Sequence, residues 1–237
     1  MKTCNKCNEQ SEDNFCPKCG IPFHIKRIDK KYVLHEMEHS LLHLENGIFY
    51  TIKELIINPG NTIRNFINGE RDKHFKPLGF LIITSVIYGF ISHYFGYAEI
   101  DPDEGGNSVI ADWFDNHNNY ANVLLIGFIA ISLRFVFYRK EHYNIFEYFI
   151  LMAFITGEIM VMGIIAEALS GILHSEVPAN IFLILTFLYG SWVIAKFFEV
   201  KSFGGYFKAI LVYFSCICLF FITVMIADGI IILFHNK

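Results

Sequence analysis

Apolar positions run almost unbroken in long blocks from Leu78 onward, whereas the first 77 residues alternate apolar and polar positions in short stretches. A helix needs about 20 mostly apolar residues to cross roughly 30 Å of hydrocarbon at about 1.5 Å per residue. Five segments reach that length: 78–97, 120–138, 145–173, 179–198 and 209–234. The third and fifth exceed the minimum, which predicts tilt or a start within the interface. Upstream, 32–45 predicts an amphipathic helix, because Leu34, Met37, Leu41 and Leu44 recur at spacings of three and four. The block 50–71 predicts two short helices divided at Pro59-Gly60, where proline and its predecessor disfavour continuation. Thr51 with Glu54 three residues on has the pattern of a capping box for the first, and Asn61 or Thr62 can cap the second. Ile52, Leu55 and Ile56, then Ile63, Phe66 and Ile67, form stripes opposite Lys53, Arg64 and Arg71. That pattern suits helices lying in the headgroup region with basic side chains towards anionic lipid. It equally suits helices packed on the cytoplasmic ends of a bundle. The fold expected is all-α: a small knuckle over 1–25, cytoplasmic or interfacial helices over 32–77, and a bundle of about five transmembrane helices over 78–237.

Charge orients these spans. Residues 1–77 hold twelve Lys and Arg against ten Asp and Glu, while the segment 98–119 has no basic residue and six acids. Arg139 and Lys140 occupy the next loop, none the turn at 174–178, and Lys201 and Lys208 the one after. Basic and non-basic loops alternate as the positive-inside rule expects for a cytoplasmic N-terminus and an external C-terminus, with only Lys237 on the external side. The first 30 residues lack an apolar core of signal-peptide type, so the first span is expected to direct insertion, into a cell inner membrane. The 54% hydrophobic content, 18% charged residues and net charge of −4 make the lipid bilayer the expected partner and give no reason to expect nucleic acid.

Chemistry enters with the cysteines. Cys4-x2-Cys7 and Cys16-x2-Cys19 form two tight knuckles whose four sulfurs can face one ion, a tetrahedral set that suits structural Zn²⁺. Two disulfides or free thiols are the competing readings, and a reducing cytoplasm disfavours the disulfides. A closed four-thiolate site leaves no open coordination position, so its role is folding rather than catalysis. Cys216 and Cys218 fall on different faces of the last span and read as packed thiols.

His35, His39 and His43 stand four apart on the 32–45 helix, a candidate second metal or proton site. His35-Glu36-Met37-Glu38-His39 also matches the H-E-x-x-H metalloprotease pattern, in which two imidazoles share a face and the Glu polarises a metal-bound water. The soluble part is too short for a catalytic domain, and a His-rich face at the membrane surface is the plainer reading.

The run Pro59-Gly60-x2-Ile63-Arg64-x4-Gly69-x-Arg71-x3-Phe75-Lys76-Pro77-Leu78 closely resembles a bacterial membrane-protein family known as domain of unknown function 3667. Gly47-x2-Tyr50-Thr51-x3-Leu55, the His-containing helix and the zinc-ribbon-like knuckle fit the same pattern, so the resemblance covers roughly residues 1–85. Glu70 departs from it, where that family more often has Lys. The five-span plan with its proline-containing lead-in also resembles Yip1-like membrane proteins. Neither resemblance implies a reaction or a substrate.

Acids inside the spans complete the inventory. Arg134 and Glu147 lie at matching depth and read as an ion pair or as snorkelling side chains. Glu158 falls about mid-span, and Glu167 and Asp228 towards the outer half, a candidate intramembrane polar site for cations or protons. Protonated carboxyls bonded between helices are the structural alternative. Gly89, Gly127, Gly157, Gly163, Gly171, Gly190 and Gly229 allow close helix approach. Three functions follow: a non-enzymatic scaffold or adaptor engaging a cytosolic protein or a second copy of itself, a small transporter or channel built on Glu158, Glu167 and Asp228, or a metalloenzyme using His35, Glu36 and His39.

Overall fold

The computed structural model describes residues 2–4, 7–23, 27–39, 47–71, 73–95, 118–137, 143–175 and 177–235. Within its helices the side chains of residues 35, 37–39, 118–124, 136–137 and 227–235 lie outside the description. Two short strands, β1 (Lys2–Thr3) and β2 (Gln10–Ser11), pair antiparallel in the register Lys2 with Ser11 and Thr3 with Gln10. Eight helices follow among the described residues: α1 (Lys30–His39), α2 (Ile48–Ile57), α3 (Pro59–Ile67), α4 (Pro77–Phe95), α5 (Asn118–Phe137), α6 (Ile145–Leu173), α7 (Val177–Phe197) and α8 (Phe203–His235).

Four of these are long and apolar enough to cross a membrane: α4, α6, α7 and the Phe203–Ile226 part of α8. The described side chains of α5 add an apolar stretch from Leu125 to Phe135. The packing of α4 on α6 shows why α5 must cross as well. Phe80 sits where a Cβ on Gly157 would stand, Tyr88 where one on Gly163 would, and Phe95 where one on Gly171 would. Numbers rise together along both helices, so α4 and α6 are parallel, and the segment between them has to return. In turn α6 and α7 are antiparallel, with Tyr148 near Phe198 at one end and Gly163 against Phe182 further along. Gly157, Gly163, Gly171 and Gly190 serve close approach, each with an aromatic ring in the space, whereas Gly89 and Gly127 face nothing within 4 Å. The chain is a multi-pass membrane protein.

Large apolar side chains on the outside of the bundle agree with that solvent. Val86, Phe90, Ile184, Leu185, Leu188, Phe214 and Phe221 are all exposed, a continuous apolar surface that water would penalise and lipid does not. The core follows α6, which has the largest buried share among the four membrane-length helices. At 29 residues it spans about 43 Å, against about 28 Å for the 19 residues of α4. The aromatic–glycine register sets the start of α4 level with residues near 153 of α6, so the first two turns of α6 project beyond it. Tyr148, Ile150, Leu151 and Met152 in that projection are nonetheless buried: helices α2 and α3 pack against α6, Ile28 joins the same core, and Tyr143 and Phe198 flank Tyr148.

Of the two readings of the stripes, packing describes α3. Ile63, Phe66 and Ile67 are buried, and the Phe66 ring meets Phe154 of α6 edge-on at 5.3 Å. The predicted caps are corrected. Helix α2 begins at Ile48 after Gly47, and the Thr51 hydroxyl accepts the Phe75 N–H at 2.8 Å instead of capping. Helix α3 begins at Pro59, and the Thr62 hydroxyl donates back to the Asn58 carbonyl at 2.9 Å. Helix α1 is also rotated from expectation. Leu34 is 49% exposed, whereas Glu36 is 2% exposed and Tyr32 and Val33 pack on the core.

Candidate metal centre and the buried acids

Each knuckle is built by the same turn. The Cys4 N–H donates to the Glu9 carbonyl at 2.8 Å and the Asn8 N–H to the Cys4 carbonyl at 3.0 Å; Cys16 with Ile21 and Gly20 with Cys16 repeat both bonds at 2.8 Å. The turn needs a left-handed residue four places after the first cysteine, and Asn8 (φ 57°) and Gly20 (φ 74°) are residues that tolerate it. The β1–β2 pair closes one knuckle, and a bridge from Phe15 to Pro22 closes the other.

The four sulfurs converge. Cys4 and Cys19 are 3.5 Å apart, Cys7 and Cys16 3.4 Å, and Cys7 and Cys19 3.7 Å, all four lying within 4.8 Å of one another. Disulfide sulfurs would stand about 2.05 Å apart, so these thiols are unbonded. A tetrahedral ion with bonds to sulfur of about 2.3 Å sets its ligands about 3.8 Å from one another. The cluster has that size, with Cys4 and Cys16 buried, and it is able to hold one metal ion.

Just after this head the chain is tethered to the bundle. Arg27 grips Glu147 with a fork, Nε to Oε1 at 2.9 Å and a second nitrogen to Oε2 at 3.1 Å. Asn144 caps α6 by accepting the Glu147 N–H at 3.0 Å while its amide donates to the Ile28 carbonyl at 2.8 Å. Glu147 returns a bond to the Asn144 N–H at 2.7 Å, completing a capping box. The Glu147 carboxylate therefore pairs with Arg27, not with Arg134 as depth alone suggested. Asn144-x2-Glu147 before an apolar run was the signal in the sequence that could have found this cap.

Glu36, the acid of the H-E-x-x-H pattern, is committed elsewhere. Its Oε1 accepts the Leu78 N–H at 2.9 Å in the first turn of α4, where helical N–H groups have no partner within the helix. Burial raises this carboxyl to about 7, while the Leu78 N–H, Tyr32, Lys76 and Arg71 pull the other way. A general base must face the open side of its metal, and Glu36 faces α4. The backbone of His35 and His39 lies on α1, with their side chains outside the description, and His43 lies outside the described residues altogether.

Glu158 and Glu167 are not brought together. Glu158 and Glu167 are nine residues apart on α6, which is about half a turn out of phase and about 13.5 Å along the axis. Glu158 is fully buried towards Tyr189 of α7, and neither of its carboxyl oxygens has a hydrogen-bond partner among the described residues. Glu167 is half-buried and faces Tyr88 of α4. The Asp228 side chain lies outside the description.

Arg64 was read only as a basic position on a stripe. Its guanidinium donates to the Lys196 carbonyl at 2.6 Å and the Phe197 carbonyl at 2.7 Å, satisfying the last turn of α7, and it also reaches Asn61 and Glu199. Beside it, a Cβ on Gly60 would stand 2.4 Å from the Lys196 backbone carbon. Arg71 lies over the Tyr32 ring at 4.7 Å and joins α1 to α3.

Residues 45–89 match the model of a family described as "Protein of unknown function (DUF3667)", the family already suggested by the Pro59–Leu78 run. No curated protein and no solved structure matches the chain. The matched segment comprises α2, α3 and the first part of α4.

Proposed function

We propose that this chain is a non-enzymatic integral membrane scaffold or adaptor that presents a structural zinc knuckle on the cytoplasmic face of a bacterial inner membrane. The observation carrying this reading is the tether. Arg27 on Glu147 and Asn144 on Ile28 fasten the chain that leaves the four-cysteine head to the first turn of α6, which keeps the head at that end of the bundle, within reach of a partner there. The donor set supports zinc, since four thiolates in a closed tetrahedron are its usual structural site. Lys196, Lys201 and Lys208 follow the same end of the bundle as the tether, and the positive-inside rule supports assigning that end to the cytoplasm. The residues of the matched segment fasten helices to one another, as Gly60, Arg64, Thr51 and Leu78 do, and this suits a scaffold better than a reaction cleft.

Two measurements on the whole protein test this. Elemental analysis of detergent-purified protein should find one zinc per chain, lost in Cys16→Ser while far-ultraviolet helicity stays within the range of the parent. Cross-linking through Lys18 in native membranes should capture a defined cytosolic protein or a second copy, and Cys16→Ser should abolish it. A Cys16→Ser protein with an undiminished cross-link would defeat the adaptor reading.

One observation favours a second reading. An acid as buried as Glu158, inside a span and without a hydrogen-bond partner among the described residues, has the character of a cation or proton site. Transport predicts flux into proteoliposomes that Glu158→Gln abolishes; equal flux from both proteins excludes it.

A further inference from the structure

Helix α2 has a flank that the packing described above leaves uncovered. At about 100° per residue, Leu55, Ile48 and Thr51 point together towards the bundle, and Leu55 and Thr51 are buried. Going round one way come Tyr50 and Glu54. The Tyr50 ring lies 5.3 Å from His74, and Glu54 acts on the same imidazole electrostatically, so that side is polar and belongs to the loop before α4. Going round the other way come Ile56 and Phe49, 54% and 81% exposed. Lys53 and Ile57 stand at the crest between the two sides, and both are exposed.

The apolar flank belongs to a helix bonded to α7, whose own exposed side chains are apolar. Leu55 offers its carbonyl to the Tyr189 hydroxyl at 3.2 Å, which holds α2 alongside α7. Leu185 and Leu188, exposed on α7, belong to the outer apolar surface of the bundle. Helix α3, joined to α2 through Asn58, is fixed at the Lys196–Phe197 end of α7, so α2 sits near the boundary of the span.

We propose that α2 lies in the plane of the membrane interface, with Phe49 and Ile56 against lipid acyl chains and Lys53 at the level of the headgroups. One polar side, one apolar side and a basic residue at the crest are the arrangement an in-plane helix requires. A lysine there keeps its ammonium in the headgroup layer while its stem lies over apolar surface. The ligand is the bilayer itself, and the inference rests on the membrane placement of the bundle, independently of the adaptor role.

Photo-crosslinking tests it in the full chain in native membranes. Benzoylphenylalanine is placed singly at Phe49, at Ile56, at Glu54 and at Leu185, each being at least partly accessible in the fold. Irradiation should yield adducts of phospholipid mass at 49, 56 and 185, several-fold above those at 54. Lipid adducts at 185 but not at 49 or 56 would overturn the proposal while leaving the spans intact, and so would protein cross-links at 49 and 56. No lipid at 185 would remove the membrane reading and the inference with it. As a second readout, Ile56→Trp in liposomes of phosphatidylethanolamine and phosphatidylglycerol should be quenched by brominated acyl chains beyond the parent protein, whose own tryptophans are Trp113 and Trp192. Quenching no greater than in the parent overturns it.

Discussion

Arg64 draws four groups from two helices onto one guanidinium, and two of those groups are carbonyls at the end of α7. A charged donor bonded to a carbonyl contributes about 1.5–3 kcal/mol, and the fork geometry is specific to arginine. Arg64→Ala should therefore lower stability by about 2–3 kcal/mol, and Arg64→Lys should recover less than half of it, as read from denaturation in detergent. Glu36 makes a prediction of the opposite kind. The folded protein holds its proton more tightly than the unfolded chain, because burial lifts the carboxyl from 4.5 to about 7. Its contribution is then complete below about 4.5 and is lost as the pH rises through about 7. Glu36→Gln should become more stable relative to the parent between pH 5 and pH 8. A difference that stays constant across that range would contradict the assignment. Neither role was legible in the sequence. Arg64 meets carbonyls more than a hundred positions away, and a pattern read in a short window cannot register such a partner.

At the scale of elements, legibility tracked how local each cause was. Helix α6 runs from Ile145 to Leu173, the bounds that its apolar run predicts, since apolar length is a property of the segment alone. The start of α2 was misread because Thr51 looks like a cap in isolation, yet its hydroxyl serves Phe75 in the folded chain. The Arg134–Glu147 pairing failed for a related reason: equal depth says nothing about which way two helices face, and Arg27 reaches Glu147 from the head. Gly157, Gly163, Gly171 and Gly190 are sites of close approach as read, though their aromatic partners were not foreseen, whereas Gly89 and Gly127 face open space. Gly60→Ala tests the tightest of them. A Cβ only 2.4 Å from the Lys196 backbone meets main chain that cannot swing aside, so the α3–α7 contact has to open. The expected cost is about 1–3 kcal/mol or more, measurable as a lowered unfolding midpoint, whereas Gly89→Ala on the open face of α4, with nothing within 4 Å, should be close to neutral.

The whole molecule is two chemistries joined at one end of α6. Lipid solvates the bundle, four converging cysteines organise the head, and Arg27, Ile28 and Asn144 fasten the chain between them to the bundle. Both halves were visible in the sequence as long apolar runs and paired Cys-x2-Cys knuckles, while the fastening was not, because Arg27 and Glu147 meet across 120 positions. The family match over residues 45–89 falls on the helices that lock the bundle at that same end. The account as a whole turns on which side of the membrane the head occupies. An epitope added at the N-terminus, exposed to protease in intact spheroplasts and in inside-out vesicles, addresses that directly. Cleavage confined to inside-out vesicles is the result expected; removal of the epitope from intact spheroplasts would contradict the account.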